Sequence, residues 1–188
     1  MRAISNKQNS VVEVLQDAIL SGTLTATMEL KQNELAESLE VSRMPIREAL
    51  FILEYQGLVE RLPNNHVRVA ELSEGFYEDV FRMGEQEEKQ ILLLAELKSL
   101  PEEEMDFHRA LYRHAGSALA ERTLETITEI YIRYAVSEAG DQGKNGRQEL
   151  LAEVRRNTEE KNEEVLAETL HQYYRSLEAA FFSQKESK

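Results

Sequence analysis

Apolar positions recur at helical spacing from the start of the chain. Val11, Val12, Leu15, Ile19 and Leu20 predict a helix over residues 8–22, with Gly22 as its stop. Leu35, Ala36 and Leu39 predict a short second helix over 32–39. Ser42 suits an N-cap, and Pro45 falls in a first turn, where a missing N–H is tolerated. Ile46, Ala49, Leu50 and Leu53 then give a third helix an apolar stripe as far as Tyr55, and Gly57 ends it. The period next changes to two: residues 58–62 and 66–70 alternate on either side of Pro63-Asn64-Asn65, which predicts a hairpin. A long helix is expected from Ser73 to about Leu97, with Phe76, Val80, Phe81, Ile91 and Leu94 inward. Pro101 is expected to open another, with Glu102, Glu103 and Glu104 in its first turn, where the helix dipole favours carboxylates. Residues 118–138 predict a further helix, and residues 139–148, with three glycines, a loop. Residues 149–182 predict one helix broken near Asn157, or two helices.

The segment from Asn33 to Val69 carries the most information. A short helix, a tight turn at Glu40-Val41-Ser42, a second helix and a hairpin make a winged helix-turn-helix. Arg43 and Arg47 stand four residues apart at the N-terminal end of the second helix, on a face other than the apolar stripe. Arginine can fork onto guanine O6 and N7, which lysine does poorly. Arg61, His66 and Arg68 on the hairpin are placed to reach phosphates or the minor groove. The expected architecture is mainly α: a winged helix-turn-helix of three helices and a small β-hairpin wing over residues 1–71, then an all-helical bundle over 72–188.

Charge alone does not suggest nucleic acid. The 188 residues carry a net charge of −13, but residues 1–70 hold 7 basic and 9 acidic side chains against 15 and 26 in the remainder. Phosphate contact depends on local charge at the docking surface, not on the whole-chain sum. Cysteine is absent, which removes disulfides and thiolate metal sites and fits a cytoplasmic protein. No secretory signal is visible, and the densest apolar run, residues 91–97, is too short to span a bilayer, so no membrane partner is expected.

The run NELAESLEVSRMPIREAL over residues 33–50, followed by LEYQGLV over 53–59 and by Pro63-Asn64, resembles the GntR family of bacterial regulators. ILSGTL over 19–24 is similar to the family's first helix and its exit, so the resemblance covers roughly residues 10–70. It implies a homodimer whose winged helices bind a palindromic double-stranded operator. The family's base and phosphate contacts carry over onto Ser42, Arg43 and Arg47, with wing contacts near Asn65 and His66. Met44 stands where the family has threonine, which alters one contact, and Thr25-Ala26 replaces Pro-Gly, which predicts a looser turn.

EMDFH over 104–108, HRAL over 108–111 and AGS over 115–117 resemble the FadR-type (FCD) C-terminal domain of one GntR subfamily. That resemblance implies a divalent metal, such as zinc, nickel or manganese, to which a small carboxylate effector is joined. By the same resemblance the ligands fall on Glu104, His108, Glu149 and His171. Glu104 replaces aspartate and Glu149 replaces histidine, which makes the set more oxygen-rich. The domain is also shortened, because only residues 98–103 intervene where the family has a further helix. Equally, Glu104 and His108 at i,i+4 can be a simple side-chain pair, His171 an interface or core histidine, and Tyr173, Tyr174, Phe181 and Phe182 a core cluster or a dimer face.

These features predict a dimeric, ligand-responsive transcriptional regulator, a repressor in the leading reading. The alternatives are a DNA-binding regulator without a small-molecule effector, whose helical domain serves only dimerisation, and a winged helix used for protein contact. No nucleophile–base constellation or phosphate-cradling glycine loop supports an enzyme.

Overall fold

The computed structural model describes residues 2–95, 97, 99–138 and 141–183, and the chain divides into two units, Met1–Ser73 and Glu74–Lys188. In the first unit, α1 (Arg2–Leu20) starts earlier than expected and buries Val11, Val12, Leu15, Ile19 and Leu20. It packs on α3 (Arg43–Tyr55), which buries Ile46, Ala49, Leu50 and Leu53, the stripe read from spacing. The Gln16 side-chain amide donates to Gln56 Oε1 at 2.8 Å and ties the two helices together at the end of α3. Packed on α3, α2 (Gln32–Ser38) buries Ala36, with Leu35 and Leu39 half-buried. Gly57 adopts φ +76°, a left-handed conformation that ends α3 without the clash a Cβ brings.

The wing is β1 (Val59–Arg61) paired antiparallel with β2 (Val67–Val69), in the register Val59↔Val69, Glu60↔Arg68 and Arg61↔Val67. Val59, Val67 and Val69 are buried while Glu60 and Arg68 turn outward, as a period of two requires. Asn65 closes the turn at φ +64°, and its N–H donates to the Leu62 carbonyl at 2.9 Å. The loop after α1 joins this sheet: the Thr27 and Leu30 N–H groups donate to the Val69 and Val67 carbonyls at 3.0 and 2.8 Å. No strand was expected there, because that stretch is too short to show a period.

The second unit is helical. In α4 (Glu74–Leu94), Tyr77, Phe81, Ile91 and Leu92 are buried. Leu94, expected inward, is 81% exposed: it is the last residue of the helix, and the buried face of that turn is taken by Ile91 and Leu92. Pro101 does not open a helix: α5 (Glu104–Tyr112) begins three residues later, where the Glu103 carboxylate accepts the Asp106 N–H at 2.7 Å. A capping carboxylate, not the proline, sets this start. α6 (Ala118–Thr126) is capped by the Ser117 hydroxyl and runs through a π-helical segment (Ile127–Ile132) into α7 (Arg133–Glu138). Ile127, Thr128, Ile130, Tyr131 and Ile132 are all buried. That run is too dense for one α-helical stripe, and the wider π turn brings more of it inward.

The expected loop over 139–148 is the clearest correction. Ala139 and Gly140 lie outside the described residues, but α8 (Asp141–Glu160) already contains Gly143 and Gly146. Arg147, Leu151 and Val154, at i, i+4 and i+7, are buried, and their packing outweighs the poor local propensity. A Cβ built on Gly146 meets nothing within 4 Å. Gly146→Ala should therefore raise stability by roughly 0.5–1 kcal/mol, read as a few degrees in a circular dichroism melt. Of the two expectations for residues 149–182 the structure has two helices: Asn157 is buried in the last turn of α8, and the chain turns at Lys161, φ +55°, into α9 (Glu163–Ser183). Leu166, Leu170, Tyr173, Tyr174, Leu177 and Phe181 form the buried face of α9, so the aromatic run is core. Gly84 of α4 admits that face: a Cβ there would lie 3.0 Å from Tyr174 Oη and 3.2 Å from Ile127 Cγ2.

Candidate nucleic-acid interface

The first turn of α3 presents Arg43, Met44 and Arg47 to solvent, because the opposite face is consumed by Ile46, Ala49, Leu50 and Leu53. Among the described residues neither Arg43 nor Arg47 has a side-chain hydrogen bond or ion pair. Ser42 takes the N-cap position with φ −73° and ψ 166°, yet its hydroxyl makes no capping hydrogen bond. The first N–H groups of α3 and this hydroxyl are therefore donors pointing out of the helix start, suited to an anion such as phosphate.

The wing behaves differently. Arg61 forks onto Glu54, with Nη2 2.7 Å from Oε2 and Nε 3.2 Å from Oε1. Arg68 Nε lies 2.7 Å from Glu60 Oε1, and His66 Nδ1 lies 2.7 Å from Glu29 Oε1. Each positive group that the sequence placed on the wing thus has an acidic partner within its own unit. Asn65 and His66 nevertheless line one hollow of about 450 Å³ with Arg43 of α3. Lys31, Gln32 and Asn33 line it too. Sequence reasoning did not single these three out, although a basic residue beside two amides at a helix start was the available signal. Arg47 and Arg61 line a second groove together with Phe51. The structure therefore brings Arg43 of the α3 start beside the wing tip and Arg47 beside Arg61 of the wing, and leaves both α3 guanidiniums unpaired.

The four residues aligned with a metal site do not come together. Glu149 is exposed on α8, and His171 is exposed on α9 with Nδ1 3.1 Å from Glu85 Oε1. Glu104 and His108 are buried in a different arrangement. Arg147 Nε donates to Glu104 Oε1 at 2.6 Å, and the Tyr173 hydroxyl donates to the same oxygen at 2.9 Å. His108 Nε2 is 2.7 Å from Tyr173 Oη, and His108 Nδ1 is 2.6 Å from Glu88 Oε1. The Tyr174 hydroxyl completes the network on Glu88 Oε2 at 2.8 Å. Tyr173 has one proton and gives it to Glu104, so its oxygen accepts from His108 Nε2–H, which leaves no lone pair there for a metal. Burial among carboxylates holds both tyrosine hydroxyls well above their ordinary pKa, so they remain donors. Among the described residues no group of three or more His, Asp or Glu side chains is placed to hold a metal ion. The expected ligand set does not fit a metal: the Arg147 guanidinium supplies the positive charge that a cation would bring.

Glu88 and Arg147 were not read from the sequence. Glu88 had a signal, since it falls on the apolar face of α4 between Phe81 and Ile91. Arg147 was hidden by the glycines around it.

Residues 7–69 match the family model described as bacterial regulatory proteins, gntR family. No curated protein sequence matches the chain. Among solved structures, Lar, which controls expression of the Listeria monocytogenes agr system and mediates virulence, is similar at 15% identity. It has a TM-score of 0.62, over 94% of this chain and 96% of that one. Escherichia coli McbR/YncC is similar at 17% identity and TM-score 0.62, over 94% and 97% of the two chains. A GntR transcriptional regulator from Rhodococcus sp. RHA1 is similar at 19% identity and TM-score 0.61, over 95% and 98%. At these identities the likeness speaks for the fold, a winged helix followed by a helical domain. Among the described residues no helix is long and apolar enough to cross a membrane. The family match lies on the winged helix itself, so residues 7–69 form a winged helix similar to the DNA-binding domain of the gntR-family bacterial regulators.

Proposed function

We propose that this protein regulates transcription by binding a palindromic duplex operator as a homodimer, with one winged helix in each half-site. The observation that carries this reading is the pair of unpaired guanidiniums at the exposed start of α3, with Arg43 beside the wing tip and Arg47 in a groove with Arg61. A recognition helix enters the major groove by its N-terminal turns, and a two-fold protein reads a two-fold site. Arg43 and Arg47 are the base readers, Ser42 and the α3 N–H groups hold a phosphate, and Asn65 and His66 approach the backbone from the wing. Arg61 and Arg68 contact phosphate by exchanging Glu54 and Glu60 for it. A cytoplasmic location accords with this role.

Selection of bound sequences from random duplexes tests the reading: a two-fold symmetric consensus is expected, and enrichment of no sequence at low salt would sink it. Arg68→Ala should weaken all duplexes about evenly and reduce the salt slope of binding by about one. Titration of specific and scrambled duplexes over a salt series checks this.

The closed Glu88–His108–Tyr173–Glu104–Arg147 network favours the regulator without a metal-borne effector, whose helical unit serves dimerisation. Thermal shift against zinc, nickel, manganese and a panel of organic acids separates this from the ligand-responsive repressor: a saturable rise in melting temperature would restore an effector.

A further inference from the structure

Met44 is 61% exposed in the first turn of α3, flanked by Arg43 and Arg47. The apolar residues of its own helix that face the core lie on the other side, so its exposure is not a loose end of the core. An unbranched thioether beside two unpaired guanidiniums on the exposed side of a helix is unsuited to a phosphate and contributes no hydrogen bond to a base edge. In the major groove the one apolar group that base pairs present is the thymine 5-methyl, and apolar side chains are what contact it. We infer that Met44 is a specificity-determining residue that packs on a thymine 5-methyl group within each operator half-site, beside the bases read by Arg43 and Arg47. The inference rests on the proposed docking of α3 in the major groove.

Deoxyuridine supplies the test, because it pairs as thymidine does and lacks only the methyl group. Once the half-site is known from selection, each thymidine is replaced in turn by deoxyuridine. Affinity is measured for the wild-type protein and for Met44→Ala. One position per half-site is expected to cost the wild-type protein about fourfold in affinity, the worth of roughly one buried methyl group. Met44→Ala should bind the thymidine duplex correspondingly less well and be indifferent to deoxyuridine at that position. Met44→Thr should keep part of the response through its γ-methyl. A sequence-selective protein whose affinity is unchanged by deoxyuridine at every position overturns the inference and leaves the docking intact, as does a Met44→Ala response equal to wild type. Absence of any preferred duplex overturns the docking and the inference with it.

Discussion

Arg147→Met is expected to lower the stability of the helical unit by about 3–5 kcal/mol, the usual result of removing one partner from a buried ion pair. Arg147 is 1% exposed and Glu104 is 3% exposed, so the carboxylate left behind cannot recover hydration without opening the core. Its remaining donor is the Tyr173 hydroxyl, which is also the acceptor for His108. Loss of the guanidinium therefore unsettles α5, α8 and α9 together. For a unit of this size the shift corresponds to roughly 10–20 °C in melting temperature. Arg147→Lys should be only a partial rescue, because an ammonium cannot reproduce the guanidinium fork on both carboxylate oxygens. The double variant Arg147→Met with Glu104→Leu should regain much of the loss, since replacing both charges removes the desolvation penalty as well as the attraction. Melts followed by circular dichroism check all three. A melting temperature unchanged in Arg147→Met would mean that the pair is hydrated in solution and does not support the core.

Arg47→Ala is expected to erase most operator preference while leaving weak general affinity for duplex DNA. A bidentate arginine–guanine contact discriminates by about 1–3 kcal/mol, a tenfold to hundredfold loss per half-site, and a dimer loses it twice. The fold should be unaffected, because Arg47 is exposed and has no side-chain partner among the described residues. The contrast with Arg68→Ala separates base reading from backbone contact: the first flattens the sequence profile, the second lowers it uniformly. Footprinting and competition with scrambled duplex measure the difference. An Arg47→Ala footprint identical to wild type would place the recognition surface elsewhere.

The candidate site was legible from sequence where function and local structure share one signal. Arg43 and Arg47 were legible because the stripe Ile46, Ala49, Leu50 and Leu53 fixes by helical geometry which side must face water. The wing residues were identified but not their state. That Arg61, His66 and Arg68 face Glu54, Glu29 and Glu60 depends on strand register and on the approach of the 27–30 loop to β2. Neither is written in local periodicity. The four residues that the resemblance marked for a metal are not brought together, for a similar reason. Glu104 and His108 lie one turn apart on α5, as expected, but what they meet comes from α4, α8 and α9.

The sequence by itself determined the winged helix, the exposed guanidiniums at the start of α3 and the helical character of the second unit. Each of these follows from spacing within one element, where chain geometry dictates which side chains share a face. Only the tertiary structure decided that α8 persists through Gly143 and Gly146, that the crowded run at 127–132 widens into a π turn, and that Arg147 closes the polar centre. These outcomes depend on burial shared between elements far apart in the chain. A buried side chain gains more from contacts and from matched charge than an isolated helix loses to a poor residue, and no local pattern records who the distant partner will be.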